Sequence, residues 1–170
     1  MEKRNIRDCD EFDSELLIRI YPILEKKCNL KDANIEKIAC SYFSTSDGVD
    51  EVYDQLLNEM EAKNQMINLK LMIDDVISKL KPKSLKWALA MIDYRGLTRN
   101  EMGMLFDDRE RTIFRRIETL HLTMAYIINS EEYKDRIINF IDSQSWTLNI
   151  LEDIKERRLI FRKNTKEEQE

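Results

Sequence analysis

Glycine, proline and histidine are almost missing from this sequence, which holds 3 Gly, 2 Pro and 1 His in 170 residues. Average usage would supply roughly 20 glycines and prolines together. Tight hairpins need glycine at their left-handed positions, and phosphate-cradling loops need it for close backbone approach. The shortage therefore disfavours hairpin-rich β folds and nucleotide enzymes of the Gly-rich kind, and a helical chain is expected. The three cysteines, Cys9, Cys28 and Cys40, form no CxxC pair and have only His121 as a companion. A zinc site or disulfide framework lacks the ligands it needs. No run approaches the 18 or more apolar residues of a membrane span, and the charged start Met1–Asp8 leads into no apolar segment of a secretory signal. A cytoplasmic protein without a membrane partner is expected.

Catalytic constellations are equally scarce. A lone histidine between Leu120 and Leu122 offers no nucleophile–base pair. The adjacent carboxylates Asp74–Asp75 and Glu131–Glu132 are not spaced to converge from one helix face. No enzyme activity, no cofactor, no catalytic residue and no metal ligand is expected.

What the chain does contain is helical periodicity. Leu16, Leu17, Ile20, Ile23 and Leu24 follow Asp13–Ser14, an expected N-cap, and Pro22 predicts a kink or a break there. A second short helix is expected from about Asp32 to Phe43, then a loop at Ser44–Gly48. From Val49 to Leu80 neither Gly nor Pro occurs, and the apolar spacing predicts one long helix. Its stripe reads as a bundle-packing face, with heptads too irregular to favour a dimerising coiled coil. Lys81–Pro82–Lys83–Ser84 separates it from the next helix, with Ser84 as candidate cap. Ser130–Tyr133 reads as the start of another helix and Ser145–Arg162 as the last. The segments expected are thus 1–47 (short N-terminal helices), 48–81 (long helix), 82–129 (a helix-turn-helix domain), 130–163 (C-terminal helices) and 164–170 (a polar tail).

The most informative stretch begins at Trp87. Leu85, Ala88, Leu89, Met91 and Ile92 make one apolar face, Gly96 stands where a left-handed C-cap is wanted, and Thr98 with Glu101 has capping-box spacing. A short helix with Met102, Leu105 and Phe106 follows, with Gly103 placed where two helices would have to approach closely. Asp107–Asp108–Arg109 interrupts it, and Asp107 with Glu110 can cap the third helix. There Ile113, Ile117, Leu120, Met124 and Ile127 point inward, so Arg111, Thr112, Arg115, Arg116 and Thr119 point out. Trp87 and Trp146 stand among aliphatics and read as packing anchors, and His121 as a packing or surface residue.

The run Gly96-Leu-Thr-Arg-Asn-Glu-Met-Gly-Met-Leu-Phe-Asp107, continuing through Arg111-Thr-Ile-Phe-Arg-Arg-Ile117, resembles the DNA-binding region 4 of sigma-70-type factors and the small phage or mobile-element regulators that share its helix-turn-helix. The likeness covers about 40 residues, Ser84 to about Leu120. It implies an all-α helical bundle with a sigma-region-4-like helix-turn-helix after a long helix. It also implies that Arg111, Thr112, Arg115 and Arg116 contact duplex DNA and that the surrounding helices touch RNA polymerase. Arg99, Arg109 and Thr119 complete the expected DNA-contacting set. The family's turn usually carries Gly or Asn, an aliphatic residue, then Ser or Thr, where this chain has Asp107, Asp108 and Arg109, so the missing aliphatic at Asp108 is expected to leave the turn less well packed. Nothing upstream resembles the promoter-melting region of a complete sigma factor.

Charge distribution sharpens this reading. The chain is net −5, yet Lys79–Arg116 carries ten basic and five acidic residues, +5 against −10 for the remainder. Arg157–Arg158 with Arg162 and Lys163 forms a second cluster, read as a solvated face rather than a phosphate contact. The function expected is a transcription regulator that binds duplex DNA, with self-association as a homodimer or polymerase contact as further roles for the flanking helices. The alternative is an acidic helical adaptor that binds polymerase and not DNA, which Asp107 and Asp108 favour.

Overall fold

The computed structural model of the chain describes residues 9–41, 49–93 and 99–167. Among them seven helices form: α1 (Glu11–Ser41), α2 (Val49–Ser78), α3 (Pro82–Asp93), α4 (Arg99–Phe106), α5 (Glu110–Ser130), α6 (Lys134–Ser143) and α7 (Ser145–Glu167). No described residue is in a strand, so the chain is an all-α helical bundle. The expected loop at Ser44–Gly48, the cap at Gly96 and the Thr98 half of the capping box lie outside the described residues.

Helix α1 corrects two expectations. Its cap is Asp10, whose carboxylate accepts the N–H groups of Phe12 and Asp13 at 2.8 and 2.9 Å, while Asp13 accepts the Asp10 N–H at 3.2 Å. This reciprocal box places Asp13 and Ser14 inside the first turn, where both are buried. The helix also runs unbroken through Pro22 where two short helices were expected. An interior proline removes one backbone bond and crowds the preceding turn, at about 3 kcal/mol in an isolated helix. Burial on both sides offsets it, since Leu16, Leu17, Ile18 and Ile20 before the proline and Leu24 after it are at most 1% exposed.

α1 is the hub of the bundle and packs on α2, α3, α5 and α7. One apolar cluster draws residues from all seven helices, including Leu69 and Ile73 of α2, Ala88 of α3, Met102 of α4, Ile113 and Met124 of α5, Ile137 of α6 and Ile154 of α7. The segments expected from the sequence therefore share one core. α2 matches the expected long helix. α3 starts at Pro82, where a missing N–H costs nothing, and the Leu85 N–H bonds the Lys81 carbonyl at 2.9 Å. Ser84 is thus a first-turn residue and not the cap. Ser130 ends α5, and α6 starts later than expected, at Lys134. α7 continues to Glu167, into the expected tail. No helix among the described residues is long and apolar enough to cross a membrane.

The hub carries polar groups into the core. Glu15 bonds Arg19 at 2.6 Å and Arg158 of α7 at 2.7 Å, and Arg158 also reaches Glu11 at 2.9 Å. Burial opposes the Glu15 carboxylate, but the charge of a protonated His121 and the guanidinium groups of Arg19 and Arg158 outweigh it and hold its pKa below the usual carboxylate value. His121 of α5 is fully buried, and neither ring nitrogen has a hydrogen-bond partner.

Burial lowers the His121 pKa to about 4, against the pull of Glu15 and with the repulsion of Arg158 and Arg19. The unfolded chain takes up a proton near pH 6.5 that the folded chain refuses until about pH 4. The His121 contribution to stability should therefore fall as pH drops through that window, by about 3 kcal/mol, and level off below it, where protonation of Glu15 takes over the acid slope. Urea unfolding of the native chain and of His121→Leu checks this, because the variant should lack that component of the acid slope.

Candidate nucleic-acid interface

The Asp107–Arg109 turn joins α4 to α5 through a Schellman-type C-cap. Asp107 has φ +51°, the left-handed conformation that glycine usually supplies, and the Asp108 N–H bonds the Gly103 carbonyl at 2.9 Å. Asp107 thus terminates α4. It does not cap α5, whose N-cap is Arg109, in extended conformation and without a side-chain cap bond. An aspartate tolerates the left-handed region better than most residues, because its short polar side chain can bond locally. That tolerance is why the sequence can dispense with glycine here.

Gly103 is needed for a different reason. A Cβ at this position would lie 2.7 Å from the Asp108 carbonyl oxygen, so the turn folds directly back onto the α4 backbone. The sequence predicts a close approach of two helices here; the close neighbour is instead the backbone of the turn, at Asp108.

Asp108, expected to leave the turn poorly packed, is an anchor. Its carboxylate pairs with Arg116 at 2.7 Å. The Arg116 guanidinium lies over Trp87 at 5.4 Å, Trp87 packs on Phe106 with ring centroids 4.6 Å apart, and Lys86 covers Phe106 at 5.0 Å. This layered stack of Arg116, Trp87, Phe106 and Lys86 ties together α5, α3 and α4. Trp87 is 5% exposed, as expected of a packing anchor.

The remaining expected contact residues divide accordingly. Arg109, Arg111 and Arg115 are exposed, and Thr112 is half-buried. Arg116 is exposed but committed to Asp108 and Trp87. Thr119 is exposed and donates its hydroxyl to the Arg115 carbonyl at 2.7 Å, which leaves the oxygen as an acceptor only. The Arg99 side chain lies outside the described residues. Inward, Ile113, Leu120 and Met124 are buried as their spacing required, with Ile117 and Ile127 partly so.

An open groove of about 920 Å³ runs between the start of α3 and the outer face of α5. Lys81, Lys83, Lys86, Arg115 and Arg116 line it with Trp87, Thr112 and Thr119, and no carboxylate among the described residues does. The three lysines were visible in the charge count but were not singled out, because their position beside α5 depends on how α3 packs. Of the second basic cluster, Arg157 and Arg158 are both held by carboxylates, and the side chains of Arg162 and Lys163 lie outside the described residues. Arg158 is held by Glu11 and Glu15 with its guanidinium 4.8 Å from the Phe12 ring, and Arg157 pairs with Asp153 at 2.8 Å. No group of three or more metal-ligating residues occurs among the described residues. Compared with known proteins, the chain matches no family model, no curated protein and no solved structure.

Two substitutions test the turn in opposite directions. Gly103→Ala should lower stability by about 1–3 kcal/mol, because the added methyl displaces the Asp108 carbonyl. Asp107→Gly should raise it by up to about 1 kcal/mol through relief of the left-handed backbone. Denaturant midpoints of the two variants against the native chain provide the measurement.

Proposed function

We propose that the protein binds duplex DNA and regulates transcription through a sigma-region-4-like helix-turn-helix, with α4 as the supporting helix and α5 as the reading helix. The observation that carries this reading is the groove that, among the described residues, is lined by five cations and no carboxylate, opening beside the outward face of α5. Arginine can grip a guanine edge or a phosphate in a bidentate contact. Arg111 and Arg115 stand on that face with Thr112 between them. Lys81, Lys83 and Lys86 lie across the groove, where the phosphate backbone flanking a bound major groove would run. Arg116 positions the turn and α3 by holding Asp108 and Trp87, so its role in binding is indirect. With Asp108 paired to Arg116, one of the two turn carboxylates that oppose DNA is neutralised.

A second reading, an adaptor that contacts RNA polymerase without DNA, has its own support. Met104 and Leu105 of α4 and Leu122 and Tyr126 of α5 are exposed, Met104 and Tyr126 by about three quarters. Such residues suit a protein contact.

Duplex binding measured against salt separates the two. The DNA reading expects affinity to fall with log salt at a slope of about −0.9 per phosphate neutralised. Arg111→Ala or Arg115→Ala should weaken binding by about 1–3 kcal/mol with the melting temperature unchanged. Lys83→Ala should weaken all sequences alike and reduce the slope by about one contact. Arg116→Ala, in contrast, should lower stability by about 1 kcal/mol, the modest scale of an exposed ion pair with its ring contact. No duplex binding at low salt, together with capture of RNA polymerase, would establish the adaptor instead.

A further inference from the structure

The apolar pattern of α2 looks irregular in sequence because two stripes are superimposed on one helix. One faces the core: Val52, Met66, Leu69, Ile73, Val76 and Ile77 are at most 8% exposed. The other is open to solvent: Tyr53, Leu57, Met60, Ile67 and Leu71 are 37–60% exposed. Their spacings are four, three, seven and four. With Asn64, also exposed, they fill six consecutive a and d positions of a heptad repeat, with Leu57, Asn64 and Leu71 at a and Tyr53, Met60 and Ile67 at d. A seam repeating every 3.5 residues fits another helix wound against it, and a single asparagine at an a position is the feature that fixes register and two-strandedness in parallel pairs.

The geometry points to a second copy of this chain as the occupant, paired in parallel along this seam of α2. The flanking charges choose the partner and its direction. The e positions on one side of the seam are Asp54, Glu61, Asn68 and Asp75, and the g positions on the other include Lys63 and Lys70. In a parallel pair each g position faces the partner's e position five residues on, so Lys70 meets Asp75 and Lys63 meets Asn68 of the second copy, whereas an antiparallel pair sets the acidic e positions against each other and the lysines against each other. Lys63 also bonds Asp32 of α1 and Lys70 lies over Tyr21 at 5.4 Å, so α1 orients the cationic flank. The seam spans only about 27 Å. Its helix is already formed by packing on α1, so association does not bear the cost of ordering it. Because α3 starts four residues after α2 ends, a parallel pair brings both α3–α5 units to the same end of the dimer.

Sedimentation equilibrium of the full chain, without DNA, tests this apart from the function proposed above. The native chain should weigh twice its 20.4 kDa monomer mass. The Leu57→Lys/Leu71→Lys variant should return to the monomer mass with helicity and melting temperature retained, since both side chains are largely exposed. Asn64→Cys, in a Cys40→Ser background, should form an interchain disulfide on mild oxidation, because only a parallel pair in this register brings the two position-64 side chains together. A native chain that stays monomeric up to its solubility limit overturns the proposal. A dimer that survives the double lysine substitution, or one that gives no disulfide through position 64, overturns it equally.

Discussion

Helix α1 has almost no solvent face over its first two and a half turns. Asp13 to Ile18 and Ile20 are all buried, because α2, α3, α5 and α7 surround this helix. A helix enclosed in this way cannot keep its polar residues in water, so the core must satisfy them. Asp10 and Asp13 cap one another, Glu15 takes Arg19 and Arg158, and the backbone of Cys9 is held by Asn129 of α5, which accepts from its N–H at 3.1 Å and donates to its carbonyl at 2.8 Å. These bonds fix α5 and α7 on the hub. The direction in which α5 presents its outer face follows from them.

The α4–α5 corner is a second device of the same type, built at the surface. Its turn needs a left-handed residue, a residue without Cβ and a packing anchor, and the chain supplies Asp107, Gly103 and the Asp108–Arg116 pair. The cost of a charged turn is offset by stacking Arg116 on Trp87, so a potential repulsion with anions becomes an internal contact. The groove beside this corner is lined by cations. Lys81, Lys83 and Lys86 from the α2–α3 junction meet Arg115 across one groove, while carboxylates gather elsewhere, notably along the exposed flank of α2. The acidic average of the chain and its basic groove are two faces of one bundle.

The buried pair of Glu15 and His121 shows how the same hub links stability to pH. A carboxylate held ionised by two guanidinium groups and an imidazole held neutral by burial both favour the fold near neutrality, and both lose that advantage in acid. Neither touches the groove.

The scarcity of glycine and proline, together with helical spacing, determined the class of the fold and the places of α2, α5 and α7, since a periodic apolar face is dictated locally wherever one side must be buried. The inward set Ile113, Leu120 and Met124 and the packing role of Trp87 were legible for the same reason, whereas the neighbour of Gly103 is the turn and not a second helix. At Pro22 local backbone cost leaves a kink or a break open, and only burial on both sides of it shows why the helix continues. Asp107 and Asp108 read as a cap and a weak point; one is a left-handed terminator and the other an anchor, because backbone φ and the Arg116 partner arise only when α4, α5 and α3 meet. The groove lysines and the two stripes of α2 are likewise tertiary facts. A sequence records that a residue is charged or apolar, but which neighbour neutralises it, and whether its face is covered, is decided by the packing of distant helices.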